Sequence, residues 1–193
     1  AEWDNKLFLT SFLMSSLLIY NSKNTLTNDS FNKLSVISNL AKKILSQQSQ
    51  ASNSNDTPNF IWVVRDYSLE STMTPNERLK KFLKNETFKY DDDLDKNSND
   101  QKREKVNIRN KIRESMVKSF NRMECHYLPV PVADGASGKT FEEALRSMND
   151  MDPKNLRPKF NIDFDALKTK IFQLTSVKSI ENRKVNGPLF ALF

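Results

Sequence analysis

The stretch Phe60-Ile61-Trp62-Val63-Val64-Arg65-Asp66 decides the fold. Its first five residues are apolar, β-branched or aromatic, the composition of a short buried strand. The run follows a polar segment and stops abruptly on two opposite charges. In open α/β sheets, ligands bind beyond the carboxyl ends of the strands. A carboxylate in that place suits two roles. It can form a strand-end ion pair or helix cap, or it can accept two hydrogen bonds from the N–H edge of a guanine. The same carboxylate would repel the acceptor N1 of adenine. Arg65 and Asp66 are therefore the first candidate site residues.

Working outward, 193 residues are enough for one domain with a real core. Hydrophobic content of 37% with 28% charged residues fits a globular chain with a polar surface. The net charge of +6 permits contact with polyanions but selects none of them. The single cysteine, Cys125, excludes a disulfide within the chain and fits a reducing, cytoplasmic setting. The longest apolar stretch, Leu7 to Tyr20, is broken by Thr10, Ser11, Ser15 and Ser16 and is too short to span a bilayer. Glu2 and Asp4 stand where the basic region of a signal peptide would be. Only three glycines occur, fewer than nucleotide-binding α/β domains normally use near phosphates. Ala1 carries no helix start signal, and both observations point to a piece of something longer.

Asp4 to Ser16 reads as a helix with Leu7, Phe8, Phe12 and Leu13 toward the core, and Leu17 to Tyr20 as a strand ended by Asn21-Ser22. Phe31, Leu34, Ile37, Leu40, Ala41, Ile44 and Leu45 recur at helical spacing. Gln47 to Pro58 is a polar surface loop. Thr74-Pro75-Asn76-Glu77 is a helix start with a capping box. Asn85 to Gln101 reads as a polar edge or disorder. Arg103 to Phe120 is a basic helix with Ile108, Ile112, Met116 and Phe120 as its stripe. Cys125 to Val132 is a strand damaged by Pro129 and Pro131. Thr140 opens a short helix, and Asp163 to Leu174 forms a last one with Phe164, Leu167, Ile171 and Phe172 buried. Helices alternating with three short buried strands predict an α/β class with a mostly parallel sheet flanked by helices.

Other constellations are weaker. Ala133 to Thr140 has Gly-Lys-Thr between a strand and a helix, as a relaxed phosphate loop would. Yet Ala133 replaces the first glycine, prolines precede it, and no strand-end aspartate for Mg²⁺ follows. A loop with Thr140 as a cap is the simpler reading. The cations of the basic helix are interleaved with Glu104 and Glu114 and lack exposed aromatics, so a solvated face is expected and nucleic acid is not. Cys125 and His126 are strand neighbours on opposite faces and cannot pair, leaving a buried thiol and a half-exposed histidine. Asp91, Asp92, Asp93 and Asp95 lack the calcium-loop pattern. No metal ligands and no catalytic residues are assigned in this chain.

Taken in order, these elements resemble a guanylate-binding protein, one of the dynamin-related large GTPases. FIWVVRDYSLE resembles that family's base-recognition strand, where Arg-Asp replaces the Asn-Lys-x-Asp of ordinary GTPases. WDNKLFLTSFLMSSLLIYNS resembles the helix after the second switch and the strand ending in Tyr-Asn-Ser. TPNERLKKFLK resembles the Thr-Pro helix, and IRNKIRESMVKSFNRMECHYLPVPV the helix and Cys-containing strand before the guanine-capping loop. NLRPKFNIDFDALKTKIF resembles the last helix of the GTPase domain, and KVNGP the hinge into a helical stalk.

The resemblance implies the C-terminal portion of a P-loop GTPase domain over residues 1–186, with 187–193 beginning the linker to the stalk. The phosphate loop and switch regions would lie upstream of Ala1. It implies binding of GTP or GDP with Mg²⁺ held mainly by residues outside this chain, and hydrolysis of GTP by the complete protein but not by this fragment alone. It also implies a homodimer through the nucleotide face, and leaves a peripheral membrane association open. Asp66 would accept the guanine N1–H and N2–H, and Arg65 would cover the base. Val130, Pro131 and Val132 would line the cap. Val130 stands where relatives commonly carry an arginine, which leaves the detail of capping and of that loop's dimer contact open. Two alternatives remain: an atlastin-like membrane-fusion GTPase, which shares Arg-Asp, and a non-catalytic binding or scaffold domain of the same half-fold.

Overall fold

The computed structural model describes residues 2–24, 26, 27, 32, 57–67, 72–132, 140–180 and 183–187. In chain order the elements are α1 (Glu2–Met14), β1 (Leu17–Lys23), β2 (Asn59–Arg65), α2 (Pro75–Leu83), α3 (Lys96–Ser119), β3 (Met123–Tyr127), α4 (Phe141–Arg146), α5 (Pro158–Leu174), β4 (Ser179–Ile180) and β5 (Arg183–Lys184). The expected helix from Phe31 to Leu45 apart from Asn32, the loop after it up to Asp56, and most of the Gly-Lys-Thr segment lie outside the described residues.

The α/β class expected from the sequence is observed. β1, β2 and β3 form one parallel sheet in that order, and β4 pairs with β5 as a small antiparallel ribbon. Parallel sheets are covered on both faces, and the central strand shows it: Phe60, Ile61, Trp62, Val63 and Val64 are all buried. Side chains alternate across a strand. Phe60, Trp62 and Val64 pack with Phe12, Leu79, Met116, Phe120 and Cys125 under α1, α2 and α3. Ile61 and Val63 pack with Leu128, Leu167 and Leu174 under α5. Rings dominate the first core. Phe60 and Phe120 lie 4.6 Å apart, Phe12 meets Phe120 edge-on at 5.3 Å, and Tyr20 meets Trp62 edge-on at 5.4 Å. The buried indole of Trp62 donates to Ser22 Oγ at 2.8 Å, as a buried Trp N–H must find a partner.

The helices start where their side chains can satisfy free N–H groups. At α2, Thr74 Oγ1 accepts from Glu77 N while Glu77 returns a bond to Thr74 N, a complete capping box. Thr140 and Glu143 repeat the arrangement at α4. Asp95 caps α3 through Ser98 N at 2.7 Å. β3 is an edge among the described residues, and side chains cover it. Cys125 N–H donates to Asn76 Oδ1 of α2 at 2.7 Å, and Lys170 of α5 donates to Cys125 O at 3.4 Å. Edges blunted in this way resist pairing with other chains.

Several expectations change. β1 continues through Asn21 and Ser22 to Lys23, because the parallel ladder with β2 runs to its last residue. β3 stops at Tyr127, before the prolines. α3 begins at Lys96 rather than Arg103. The polar segment before it is held by Asn99, whose buried amide donates to Asp91 O and Leu94 O while accepting from Asp91 N. α5 begins at Pro158, and Phe172 and Phe164 on it are 80% and 42% exposed rather than buried. Leu7 and Ile108 are exposed too, so those stripes are narrower than their spacing suggests. His126 is buried, not half-exposed.

Candidate functional site

β2 ends on Arg65, and the chain leaves the sheet at Asp66 with φ 55°. A non-glycine residue in this left-handed region costs energy, least for Asn and Asp. Such positions are held only where the surroundings fix them, and they cluster at functional sites. The fixing bonds are visible. Leu128 N–H donates to Val64 O at 2.9 Å, and Tyr67 N–H donates back to Leu128 O at 3.1 Å, so the exits of β2 and β3 are laced together. The Tyr67 and Tyr127 rings stack with centroids 3.9 Å apart, and the Arg78 guanidinium lies 5.9 Å from the Tyr67 ring.

On the other side of β2, β1 does the same thing. Lys23 is in register with Arg65, and the next residue, Asn24, turns away with φ 68°. Asn24 N–H donates to Arg65 O at 2.8 Å. Lys23 Nζ lies 3.9 Å from Asp66 Oδ2. Arg65 is exposed, and Asp66 is half-buried with 30% of its side chain accessible, so both charges are reachable from solvent at the end of the strand. Lys23 and Asn24 were not found by sequence reading. Their partnership with Arg65 and Asp66 exists only through the strand register, and no local motif announces it.

The loop after β3 starts at the same corner. Val130 and Pro131 are half-buried, whereas Val132 is buried. Arg157 N–H donates to Pro131 O at 2.8 Å and ties the loop to the turn before α5. Val132 thus anchors the segment, and Val130 and Pro131 are its more accessible residues.

The other candidates resolve into structure. Cys125 joins the aromatic core, and burial pushes its thiol up to about 12. His126 faces α5, with Nε2 2.7 Å from the Asp163 carbonyl oxygen, and burial lowers its pKa. Asp91 pairs with Lys102 at 2.7 Å, and Asp95 is the α3 cap. Besides Lys102, the basic helix turns Arg109 and buried Arg113 onto the carboxylate of Glu86. Arg113 Nε also donates to Phe82 O at 2.9 Å, closing the end of α2. Among the described residues, no group of three or more His, Cys, Asp or Glu is placed to hold a metal ion. No helix among them is long and apolar enough to cross a membrane.

Residues 2–180 match the family model of the guanylate-binding protein N-terminal domain. The chain belongs to the guanylate-binding protein family. It is 26% identical to human guanylate-binding protein 3 over 96% of this chain and 30% of that protein. It is 25% identical to human guanylate-binding protein 1, with the same coverage. Mouse guanylate-binding protein 6 is 28% identical over 94% of this chain and 29% of its own length. The chain therefore spans about 30% of the length of these curated relatives. The atlastin-like and scaffold alternatives are not favoured by these matches. Asp66 follows the carboxyl end of β2, the end of an α/β sheet beyond which ligands generally bind.

Proposed function

We propose that this chain reads the guanine of GTP or GDP as part of a large GTPase of the guanylate-binding class. The observation that carries the reading is Asp66: a partly accessible carboxylate on left-handed backbone, just past the carboxyl end of the central strand. One oxygen of Asp66 accepts the guanine N1–H and the other the N2–H, both charge-assisted bonds. Arg65 lays its stem and guanidinium plane over the base. Val130, Pro131 and the anchoring Val132 form the cap.

In this reading residues 1–186 belong to the GTPase domain and 187–193 to the start of a linker toward a helical stalk. Mg²⁺ accompanies the triphosphate and neutralises its charge during phosphoryl transfer. No described carboxylate cluster here is placed to hold that ion, so no catalytic step is assigned to this chain. Homodimerisation through the nucleotide face, a cytoplasmic location and peripheral contact with membranes complete the proposal. The test is a change of base preference in the full-length protein. Asp66→Asn presents an amide N–H to the base, which favours xanthine over guanine. Calorimetric titration is expected to give weaker GTP binding and stronger xanthosine triphosphate binding. An unchanged guanine preference would remove Asp66 from the base site.

A further inference from the structure

We propose that Lys23 is a specificity-determining residue of the base site, donating to the 6-oxo group of guanine while Asp66 takes the adjacent N–H groups; this rests on the guanine reading above. β1 and β2 are parallel with Lys23 opposite Arg65, so the two side chains leave the same face of the sheet. Lys23 Nζ stands 3.9 Å from Asp66 Oδ2, with the lysine side chain 68% exposed and the aspartate 30%. An ion pair that long and that exposed adds little stability. What it does is set a donor beside the carboxylate. The matched left-handed turns at Asn24 and Asp66, joined by the 2.8 Å bond from Asn24 N–H to Arg65 O, hold the two strand ends in fixed relation.

The chemistry of the base completes the inference. One edge of guanine presents the exocyclic amino group, N1–H and the 6-oxo oxygen in a row. A carboxylate satisfies the first two but brings its own negative charge close to the third, an acceptor. An ammonium beside that carboxylate removes the repulsion and has donors for both groups, since Lys carries three. Adenine presents an amino group where guanine has its 6-oxo oxygen, so Lys23 would meet it donor to donor. Lys23 and Asp66 then reject adenine at two adjacent atoms, which is discrimination by mismatch as well as by contact.

The experiment compares GTP with 6-thio-GTP, which keeps N1–H and the amino group but offers a poor acceptor at position 6. Both are titrated into the full-length protein and its Lys23→Met, Lys23→Arg and Asp66→Asn variants, with thermal melts to verify folding. Lys23→Met is expected to weaken GTP about tenfold, the size of one charge-assisted hydrogen bond, and to weaken 6-thio-GTP much less. Lys23→Arg is expected to retain most of the GTP advantage. Equal weakening of both nucleotides in Lys23→Met, or no change in either, overturns the role given to Lys23. Asp66→Asn separates the two failures. If it moves preference to xanthosine triphosphate while Lys23→Met leaves the GTP to 6-thio-GTP ratio intact, only the Lys23 inference falls. If Asp66→Asn keeps its guanine preference, the base-site reading falls first.

Discussion

The two ends of the parallel sheet are built from the same strands and use their polar groups in opposite ways. At the amino end, several backbone and amide groups are turned back on the protein. Asn59 N–H donates to Ser16 O and Phe60 N–H to Arg122 O, both at 2.8 Å, and Asn121 N–H donates to Pro58 O at 3.1 Å. The Asn59 side chain donates to Leu174 O at 2.7 Å and accepts from Asn121 Nδ2 at 3.3 Å. At the carboxyl end, the ties among the described residues are mostly of backbone, with the Trp62 indole on Ser22 Oγ beside them; Arg65 is exposed, and Lys23 and Asp66 share one long contact. The amides close the fold where no ligand is expected. Among the described residues, the charges at the carboxyl end make only this long, exposed contact, at the end where an α/β sheet receives a ligand.

Substitutions can break this contrast or sharpen it. The largest effect belongs to the carboxyl end: Asp66→Ala should lower GTP affinity roughly a hundredfold or more by removing two charge-assisted bonds. Chemical denaturation should show its stability changed by only about 1 kcal/mol, the scale of backbone strain in the left-handed region. Glu86→Gln, which belongs to neither end, should cost about 2 kcal/mol, because buried Arg113 loses its counter-ion. That figure lies below the cost of breaking a fully buried pair because the Glu86 side chain is 38% exposed. Nucleotide affinity should not follow it.

Glu86 also gives a pH signature. Hydrogen bonds from Arg109 and then Arg113 hold its carboxyl below the ordinary value of 4.5. The unfolded chain therefore takes up this proton first as the solution is acidified. Its stabilising contribution is complete above about pH 4.5 and is lost as pH falls through the lower folded value. Melting temperatures followed from about pH 6 down to pH 3 should fall more steeply in the parent than in Glu86→Gln.

At the amino end, Asn59→Ala should cost about 1.5 kcal/mol in denaturant titrations by leaving the Leu174 carbonyl without its donor. GTP binding should be unaffected; a large loss there would erase the distinction between the two ends. The smallest effect is expected at Asn24. Asn24→Ala should cost about 1 kcal/mol for left-handed backbone. Asn24→Gly should be nearly neutral, since the relief of strain is offset by the freedom glycine gains when unfolded.

Local chemistry was the part of this molecule legible in the sequence. The β2 strand was readable because its apolar run is uninterrupted and closed by charge. The Thr74 and Thr140 caps were readable because a capping box is a four-residue pattern. Features set by distant partners were not. Tyr20-Asn21-Ser22 looked like the end of a strand, and only pairing with Val63, Val64 and Arg65 carries β1 to Lys23. The start of α3 was hidden because Asn99, a polar residue in a polar stretch, turns out to be buried and multiply bonded. Phe172 matched the helical period, yet periodicity reports a face and not whether another element covers it. At the site, Arg65 and Asp66 were visible as a charged strand end, whereas Lys23 joins them only in three dimensions.

The left-handed backbone at Asp66 bears on how this site can change over generations. The fold asks of that position only a residue at ease with positive φ, and Asn, Asp and Gly are the ones that meet it. Each aspartate codon is one nucleotide away from an asparagine codon and one from a glycine codon. Of the three residues, only aspartate offers two acceptors to a guanine. If Asp66 reads the base as proposed, a single nucleotide change would abolish that selectivity without unfolding the protein, and the ligand rather than the scaffold would then set the identity of residue 66.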